Sequence, residues 1–252
     1  MTTLISPSPV RRAHLFETEV DALTLAETVD RAFELVDAGA ITQHVVLNAA
    51  KVVQMSKDDR LKEIIDSCGL VNADGQSVVW ASRILGRPLP ERVAGIDLFN
   101  AIVERAANTG HSLFFLGATD DVLNEMVRRL RARHPGLVVA GHRNGYWSDD
   151  DEVVAAVRAA SPDFLFLAIP SPRKEFWLSE HLRPLGVPFV MGVGGTFDVV
   201  AGKVRRAPTW VQRLGCEWIY RLAQEPRRMW KRYLKGNSAF MMLTAREWWR
   251  SA

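Results

Sequence analysis

Apolar residues along the chain fall into two alternating patterns. Short, almost continuously apolar runs predict buried strands, and one stretch near the start predicts a strand by polar–apolar alternation. These segments are HLFETEVDAL (14–23), HVVLN (44–48), GLVNADG (69–75), HSLFFLG (111–117), LVVAG (137–141), DFLFLAI (163–169) and VPFVMGVG (187–194). Apolar strands that are joined by helices form parallel sheets, so the pattern predicts an α/β, Rossmann-like fold with a mostly parallel sheet. It leaves the strand order open.

The segments between these runs have apolar residues at helical spacing. In TLAETVDRAFELVDAG (24–39), Leu25, Val29 and Phe33 recur on one face, and Thr24 with Glu27 makes a capping-box start. Further helices are predicted from about Ala50 and over 76–86, 95–110, 122–134, 149–160 and 174–182. We therefore expect helices on both faces of the sheet.

Composition narrows the class of protein. The 252 residues are 48% hydrophobic and 24% charged, which is the balance of a globular protein. Cys68 and Cys216 lie far apart and in no metal-binding spacing, so neither a disulfide framework nor a zinc site is expected. The first residues lack the apolar core of a signal peptide, and no stretch reaches the roughly 18 apolar residues of a membrane span. We expect a cytoplasmic protein.

Charge is divided unevenly along the chain. From Lys203 to the end there are 12 basic and 3 acidic residues, whereas the preceding 202 residues hold 20 basic and 26 acidic ones. Five of the eight tryptophans also lie in this last part, interleaved with arginine. The pattern predicts a core over 1–204 and a basic, tryptophan-rich helical appendage over 205–252.

Two interpretations of the appendage stay open at this point. Tryptophan and arginine on a helix are typical of an amphipathic segment that lies on an anionic membrane surface. A pair of helices packed on the core, with the tryptophans buried, has the same composition. No recognised nucleic-acid-binding motif is present, so nucleic acid is not an expected partner.

Polar residues follow several of the predicted strands. In parallel α/β sheets, ligands bind beyond the carboxyl ends of the strands, and Asn48, Asn72, Asp74 and Lys174 lie at such positions. An ionised aspartate can accept a proton from an attacking hydroxyl, which makes Asp74 a candidate general base. The pair Asp74-Gly75 is also what an ordinary turn requires.

A glycine-rich turn follows the last predicted strand. Gly192, Gly194 and Gly195 would let backbone N–H groups approach a phosphate. Phe197 stands where the dinucleotide-binding fingerprint has its third glycine, and the chain has no P-loop motif. The diphosphate of a sugar nucleotide is an anion that this turn could hold.

No metal site is expected beside this turn. Asp149, Asp150 and Asp151 imitate an acidic metal-binding motif, but they precede a predicted helix and indicate a charge cluster at its start. Basic side chains would then neutralise the diphosphate. The candidates are Arg92, Lys174, Lys203, Arg205 and Arg206.

Longer blocks of sequence carry a family resemblance. These blocks are LN (47–48), NADG (72–75), ERVAGIDL (91–98), FFLGA (114–118), GYW (145–147), PSPRKEFW (170–177) and GVGGTFDVVAGKVRRAPTWVQRLGCEWIYRLAQEPRRMWKRY (192–233). Through them the chain, from about His44 to about Tyr233, resembles the WecG/TagA/CpsF family of bacterial glycosyltransferases. The last block is long and idiosyncratic, which makes the resemblance specific.

The resemblance implies an inverting, metal-independent enzyme without a cofactor. It would move a hexose or N-acetylhexosamine-type sugar from a UDP-sugar to a sugar linked through diphosphate to a polyprenyl lipid. This reaction would take place on the inner face of the cell membrane, in the synthesis of exopolysaccharide or another cell-surface polymer. The protein would be peripheral on that membrane, and self-association into a homo-oligomer is compatible with this reading.

The resemblance also implies roles for individual residues. Asp74 would be the general base. Asn48 and Arg92 would lie in the donor and acceptor pocket. Together with the strand ends and the glycine turn, this predicts the following donor- and acceptor-binding residues: Asn48, Asn72, Arg92, Lys174, Gly192, Gly194, Gly195 and Asp198. Basic residues of the appendage would contact phosphate and membrane while the appendage closes over the active site. These are Arg205, Arg206, Arg221, Arg227, Arg228 and Arg232.

Two positions depart from the family pattern. Val46 stands where the family usually has threonine, and this removes a hydroxyl that would orient a substrate. Lys174 stands where the family usually has glutamine, so a cation replaces an amide and would favour an acidic sugar or add a phosphate contact. Both departures leave the identity of the donor sugar open.

Two other classes of protein also fit part of the pattern. An NAD-dependent oxidoreductase would explain the sheet and the glycines, but its ribose-binding acid would fall in the basic appendage. A non-catalytic membrane adaptor would explain the appendage alone, and its function would be indifferent to Asp74.

Overall fold

The described part of the chain begins with a β-hairpin in which strands β1 (Arg12–Leu15) and β2 (Thr18–Asp21) pair antiparallel. Phe16 and Glu17 turn the chain between them with φ angles of 54° and 58°. The prediction of one strand over 14–23 was wrong, because a two-residue turn of the kind that joins hairpin strands divides the segment. The computed structural model describes residues 10–213, 215, 217–224 and 226–251, and it describes the backbone alone of 213, 218, 221, 223–224, 226–235 and 251.

Within the described residues, six parallel strands form the main sheet. They are β3 (Thr42–Leu47), β4 (Leu70–Ala73), β5 (Ser112–Gly117), β6 (Val138–Arg143), β7 (Phe164–Ala168) and β8 (Phe189–Gly192). Their order is β4-β3-β8-β7-β5-β6, so β8 lies between β3 and β7. The predicted parallel sheet is confirmed. The segments that follow β4, β3, β8 and β7 emerge side by side at one edge of it, where such sheets bind ligands.

Helices precede, join and follow these strands. They are α1 (Leu25–Asp37), α2 (Ala49–Met55), α3 (Asp59–Asp66), α4 (Gln76–Ile84), α5 (Gly95–Thr109), α6 (Asp120–Arg133), α7 (Asp150–Ala160), α8 (Arg173–Leu185) and α9 (Thr196–Val200). The predicted capping box at the start of α1 is confirmed. The Thr24 hydroxyl accepts a hydrogen bond from the Glu27 N–H at 3.2 Å, and the Glu27 carboxylate accepts one from the Thr24 N–H at 2.8 Å.

Apolar side chains fill both faces of the sheet. On one face, α1, α5 and α6 cover an aromatic cluster in which the Phe99 and Phe166 rings meet edge to face at 4.7 Å. On the other face, α7 and α8 cover Leu165 and Leu167 of β7. Successive residues of a strand point to opposite faces, so burial on both sides requires the continuous apolar runs seen in the sequence.

The appendage is helical wherever the structure describes it. Its helices are α10 (Thr209–Arg213), α11 (Glu217–Gln224) and α12 (Pro226–Ser251). The second half of α12 packs on the hairpin, where Phe240 is buried with its ring 5.1 Å from that of Phe16, and Glu247 accepts a hydrogen bond from the Phe16 N–H at 2.8 Å. Among the described helices, none combines the length and the apolar character that a membrane span needs. The boundary between 204 and 205 stays a prediction.

Candidate active site

A cavity of about 910 Å³ lies at the carboxyl edge of the sheet. The segments after β3, β4 and β8 form its floor together with the start of α8, and the described parts of α11 and α12 form one wall. Of the residues predicted from the sequence, nine line it: Asn48, Asp74, Arg92, Lys174, Gly192, Gly194, Gly195, Arg205 and Arg206. The strand order therefore brings together residues that lie up to 158 positions apart in the chain.

Asp74 lies directly after β4, beside the end of β3. Its backbone N–H donates to the Leu47 carbonyl at 2.8 Å, and its carboxylate oxygen Oδ1 accepts a hydrogen bond from the Gly95 N–H at 3.2 Å. Both contacts fix the carboxyl group at the cavity wall.

Asn48 begins α2 from the neighbouring strand. Its side-chain oxygen caps the helix by accepting a hydrogen bond from the Lys51 N–H at 3.0 Å. A Cβ atom at Gly75 would lie 3.3 Å from both the Cα and the Cβ of Asn48. The small residue after Asp74 therefore lets the two strand ends approach closely and places Asp74 and Asn48 at one corner of the cavity.

The glycine turn closes the cavity floor after β8. Gly194 has a positive φ of 54°, a conformation that glycine adopts without strain. The Lys174 side chain lies across Gly192, where an added Cβ would be 2.8 Å from the lysine Cδ. The Lys174 ammonium donates a hydrogen bond to the Gly192 carbonyl at 3.1 Å. The turn is therefore held from below by a charged side chain.

Three buried charged groups lie beneath this turn. Lys51 and Glu175 form an ion pair with 2.5 Å between Nζ and Oε1, and the Lys174 Nζ lies 3.9 Å from the same oxygen. Burial, together with the charge of Lys51, lowers the pKa of Lys174 to about 8. Burial alone would raise the pKa of Glu175, but the two lysines and a hydrogen bond from Ser171 outweigh it and hold that pKa below its usual value.

Two arginines meet one carboxylate at the cavity wall. Glu217 of α11 contacts the guanidinium of Arg92 through one oxygen and the Nε of Arg206 through the other, the latter at 3.1 Å. Arg206 also donates to Asp97 at 2.8 Å, while Arg205 is exposed beside it. The described wall of the cavity is therefore rich in cations, partly neutralised by Glu217 and Asp97.

Comparison with known proteins decides the class of the protein. The model of the glycosyl transferase WecG/TagA/CpsF family matches residues 13–252. The chain belongs to this family. The family resemblance and the glycosyltransferase class inferred from the sequence are confirmed, and they replace the oxidoreductase and the adaptor as interpretations.

Curated relatives in the WecG/TagA/CpsF family carry one description. N-acetylglucosaminyldiphosphoundecaprenol N-acetyl-beta-D-mannosaminyltransferase of Bacillus spizizenii is 37% identical over 180 residues, which are 71% of this chain and 69% of that protein. The protein of the same description from Bacillus subtilis strain 168 is 36% identical over 180 residues, 71% and 69% of the two chains. That of Staphylococcus aureus strain MW2 is 34% identical over 186 residues, 73% and 72% of the two chains.

Some predicted residues of this family member lie away from the cavity. Asn72 is fully buried in β4, where it donates to the Thr28 hydroxyl at 3.2 Å and contacts the His44 ring at 3.1 Å. Asp198 lies in α9 and is not among the residues that line the cavity. The side chains of four predicted appendage residues lie outside the described part of the structure: Arg221, Arg227, Arg228 and Arg232.

The acidic cluster at the start of α7 caps that helix. Asp149 accepts hydrogen bonds from the Asp151 N–H at 2.9 Å and the Glu152 N–H at 3.3 Å, which confirms its assignment to a helix start. Asp150 accepts one from the indole N–H of Trp147 at 2.6 Å. These contacts give the cluster a structural role in the fold of this family member.

Sequence reasoning missed Lys51 and Glu217 as parts of the site. The sequence does point to Lys51, because this lysine lies among the apolar residues of its helix. A lysine that is buried there needs an ionic partner. That partner, Glu175, is 124 positions away, so only the tertiary structure shows the pair.

Proposed function

We propose that the protein transfers a hexose or N-acetylhexosamine-type sugar from a UDP-sugar to a polyprenyl-diphosphate-linked sugar, with inversion at the anomeric carbon. The product would enter exopolysaccharide or cell-surface polymer synthesis. One observation carries the proposal: a carboxylate, a glycine turn and a group of cations share one cavity at the carboxyl edge of the sheet. The descriptions of the relatives, which name an undecaprenyl-diphosphate-linked acceptor, support the acceptor class.

Asp74 acts as the general base in this proposal. The acceptor hydroxyl attacks the anomeric carbon from the face opposite the diphosphate, and its proton passes to the Asp74 carboxylate. The new glycosidic C–O bond forms as the bond to the diphosphate oxygen breaks, and UDP leaves with that electron pair. A single displacement of this kind inverts the anomeric configuration. The hydrogen bond from Gly95 supports the role because it orients the carboxylate within the cavity.

The glycine turn and the cations bind the donor diphosphate. Backbone N–H groups of Gly194 and Gly195 approach the phosphates, since neither residue has a side chain in the way. Arg92, Arg205 and Arg206 lie across the cavity and neutralise the charge that develops on the leaving UDP. Arginine suits this role because its planar fork of donors matches phosphate oxygens.

An apolar arm of the cavity suits the lipid part of the acceptor. We define this arm by Trp80 and Ile84 of α4 and by Phe240, Met241 and Trp248 of α12, which all line the cavity. Apart from Phe240 these side chains are all exposed, which is unusual for large apolar residues unless they meet a ligand or a membrane. We place the protein on the inner face of the cell membrane, with this arm directed to the lipid.

The decisive experiment is a transfer assay on the full chain. The protein is incubated with each of several UDP-sugars, including UDP-N-acetylmannosamine, and a short-chain polyprenyl-diphosphate-linked N-acetylglucosamine, with and without EDTA. UDP release and product mass are measured, and the anomeric configuration of the product is determined by NMR. We expect sugar transfer that requires the acceptor, that proceeds in the presence of EDTA and that inverts the anomeric configuration of the donor sugar.

Either of two outcomes would overturn the proposal. Retention of the anomeric configuration would exclude the single displacement at Asp74. Absence of turnover with every UDP-sugar, together with turnover when another nucleotide sugar is supplied, would exclude the donor class. A matched control without acceptor separates transfer from hydrolysis of the donor.

A further inference from the structure

Lys174 is a nearly fully buried lysine under the glycine turn. Only 8% of its surface is exposed, and its ammonium donates to the Gly192 carbonyl at 3.1 Å. Its Nζ atom would lie 3.9 Å from a Cβ atom placed on Gly194. The side chain thus runs beneath Gly192 and Gly194, the second of which the proposed function assigns to the diphosphate, and its charge reaches the turn from the side of the protein interior.

The Glu175 carboxylate lies beside this ammonium and is itself held by Lys51 and Ser171. Glu175 accepts the Lys51 ammonium at 2.5 Å, and its same oxygen lies 3.9 Å from the Nζ of Lys174. Ser171 donates to the second Glu175 oxygen at 2.9 Å, so the carboxylate is bound on both sides. One carboxylate therefore lies between two buried lysines, and its charge cannot neutralise both.

The remaining titratable groups around Lys174 come from the neighbouring strands. Asp74 lies after β4 and favours the charged form of the lysine. His44 of β3 is fully buried, and burial lowers its pKa to about 3, so it is neutral and adds no charge. With Lys51 and Glu175, these are the charged and titratable groups that face Lys174 from the described elements packed against it.

Resting on the proposed function, we propose that Lys174 is the positioning residue of the glycine turn and that its positive charge, which lies beside Glu175, strengthens binding of the nucleotide diphosphate. The hydrogen bond to Gly192 fixes the direction of the turn. The charge acts through a short, water-poor path, where electrostatic attraction is stronger than at the surface. When Asp74 takes the acceptor proton, the cluster loses one negative charge and its attraction for the departing diphosphate increases.

This role makes diphosphate affinity depend on pH. Below the lysine pKa of about 8 the ammonium is charged and attracts the phosphates, and above it the neutral amine keeps the hydrogen bond but loses the charge. We therefore expect the Kd for UDP to rise by about fivefold between about pH 7 and about pH 9, because an attraction of about 1.4 kcal/mol is worth about tenfold in Kd and the lysine loses its charge only in part over this range. The kcat is expected to change less, because Lys174 acts through the glycine turn and does not take the proton of the acceptor hydroxyl.

The test is calorimetric titration of the full chain with UDP across this range of pH. Three variants are compared with the parent protein: Lys174→Gln, Lys174→Met and the exposed control Lys57→Gln. Lys174→Gln keeps a donor for Gly192 without the charge, so it should bind UDP about tenfold more weakly near pH 7 and lose the pH dependence. Lys174→Met should bind more weakly still, and Lys57→Gln should follow the parent curve.

The possible outcomes separate this inference from the proposed function. If Lys174→Gln and the parent show the same UDP affinity and the same pH dependence, the inference is overturned while UDP binding stands. If neither binds UDP at any pH, the proposed function fails first. Titration of the uracil ring of UDP contributes equally to the curves of all the proteins. Thermal unfolding of each variant shows whether a loss of affinity comes from a loss of fold. If Lys174→Met fails to fold, the comparison of Lys174→Gln with the parent is the test.

Discussion

At the scale of single residues, the environment of Asp74 defines what this side chain can do. The Asp74→Asn variant keeps an oxygen that accepts the hydrogen bond from Gly95, so we expect it to fold and to bind UDP as the parent does. It cannot accept a proton, and kcat should fall by about 10²- to 10⁴-fold, the usual scale for a lost general base. Steady-state kinetics with the best UDP-sugar would measure this.

A second aspartate provides the matched control for this variant. Asp198 follows the glycine turn but is not among the residues that line the cavity. The Asp198→Asn variant should keep kcat within about twofold of the parent, because its side chain is not among those that line the cavity where the substrates meet. Near-normal turnover of Asp74→Asn, or a larger loss in Asp198→Asn, would assign the base to a different residue.

At the scale of elements, the Lys51–Glu175 pair ties α2 to α8 beneath the cavity. In the Glu175→Gln variant two buried lysines lose their carboxylate, and breaking a buried pair in this way costs about 3–5 kcal/mol in free energy of unfolding. Urea denaturation followed by circular dichroism would measure this loss. We expect the urea concentration at the midpoint of unfolding to fall strongly at neutral pH.

An exposed ion pair between neighbouring helices serves as the control. Arg60 of α3 and Glu180 of α8 are 2.6 Å apart, with more than half of each side chain exposed. Glu180→Gln should cost less than about 1 kcal/mol, because water screens the pair. Equal losses of unfolding free energy in Glu175→Gln and Glu180→Gln would contradict our expectation that the buried pair stabilises the fold more than the exposed pair does.

At the scale of the whole molecule, Glu217 joins the appendage to the core. Its carboxylate contacts both Arg92 and Arg206 and so opposes the binding of an anion by them. Glu217→Gln should therefore lower the Kd for UDP by about threefold to tenfold, which corresponds to about 1 kcal/mol of released attraction. Calorimetric titration with UDP at low ionic strength is the appropriate measurement.

Glu247 is the corresponding control on the same appendage. It contacts Phe16 and Arg87 of the core and does not line the cavity. Glu247→Gln should leave UDP affinity unchanged, although it removes a contact between appendage and core. Weaker UDP binding in Glu217→Gln would show that the carboxylate supports the arginines instead of competing for them.

The surface of α12 carries the proposal of membrane contact. Met242 and Trp249 are 69% and 70% exposed and lie outside the cavity lining. Burial of a large apolar side chain in a bilayer is worth about 1.5–3 kcal/mol, so replacing both by alanine should lower binding to anionic vesicles by at least about tenfold. Co-sedimentation with such vesicles would measure it. Tyr146→Ala, at an equally exposed site on the core, should bind vesicles as the parent does.

Each of the two interpretations of the appendage accounts for a different part of the surface of α12. Phe240 is buried against the hairpin, as a packed helix requires. Met242 and Trp249 are exposed, as a membrane-facing surface requires. Hydrophobic spacing in the sequence identifies the helix but does not say which apolar residues meet the core, because that depends on where the helix lies.

The class of fold, the family and most of the residues of the candidate site could be predicted from the sequence alone. Burial on both faces of a parallel sheet leaves continuous apolar runs, and a capping box or a glycine turn is a local pattern, so each can be read from neighbouring residues. The prediction missed the hairpin turn at Phe16 and Glu17, because these residues have no glycine or asparagine to mark it.

Which residues lie together in the site is visible only in the folded chain. The tertiary structure placed β8 beside β3, and thereby Asp74, Asn48 and the glycine turn around one cavity. It turned Asn72 away into the interior and paired Lys51 with Glu175. Contacts between distant positions depend on strand order and on the direction of each side chain. Local sequence patterns do not contain this information, because it arises from the packing of the whole chain.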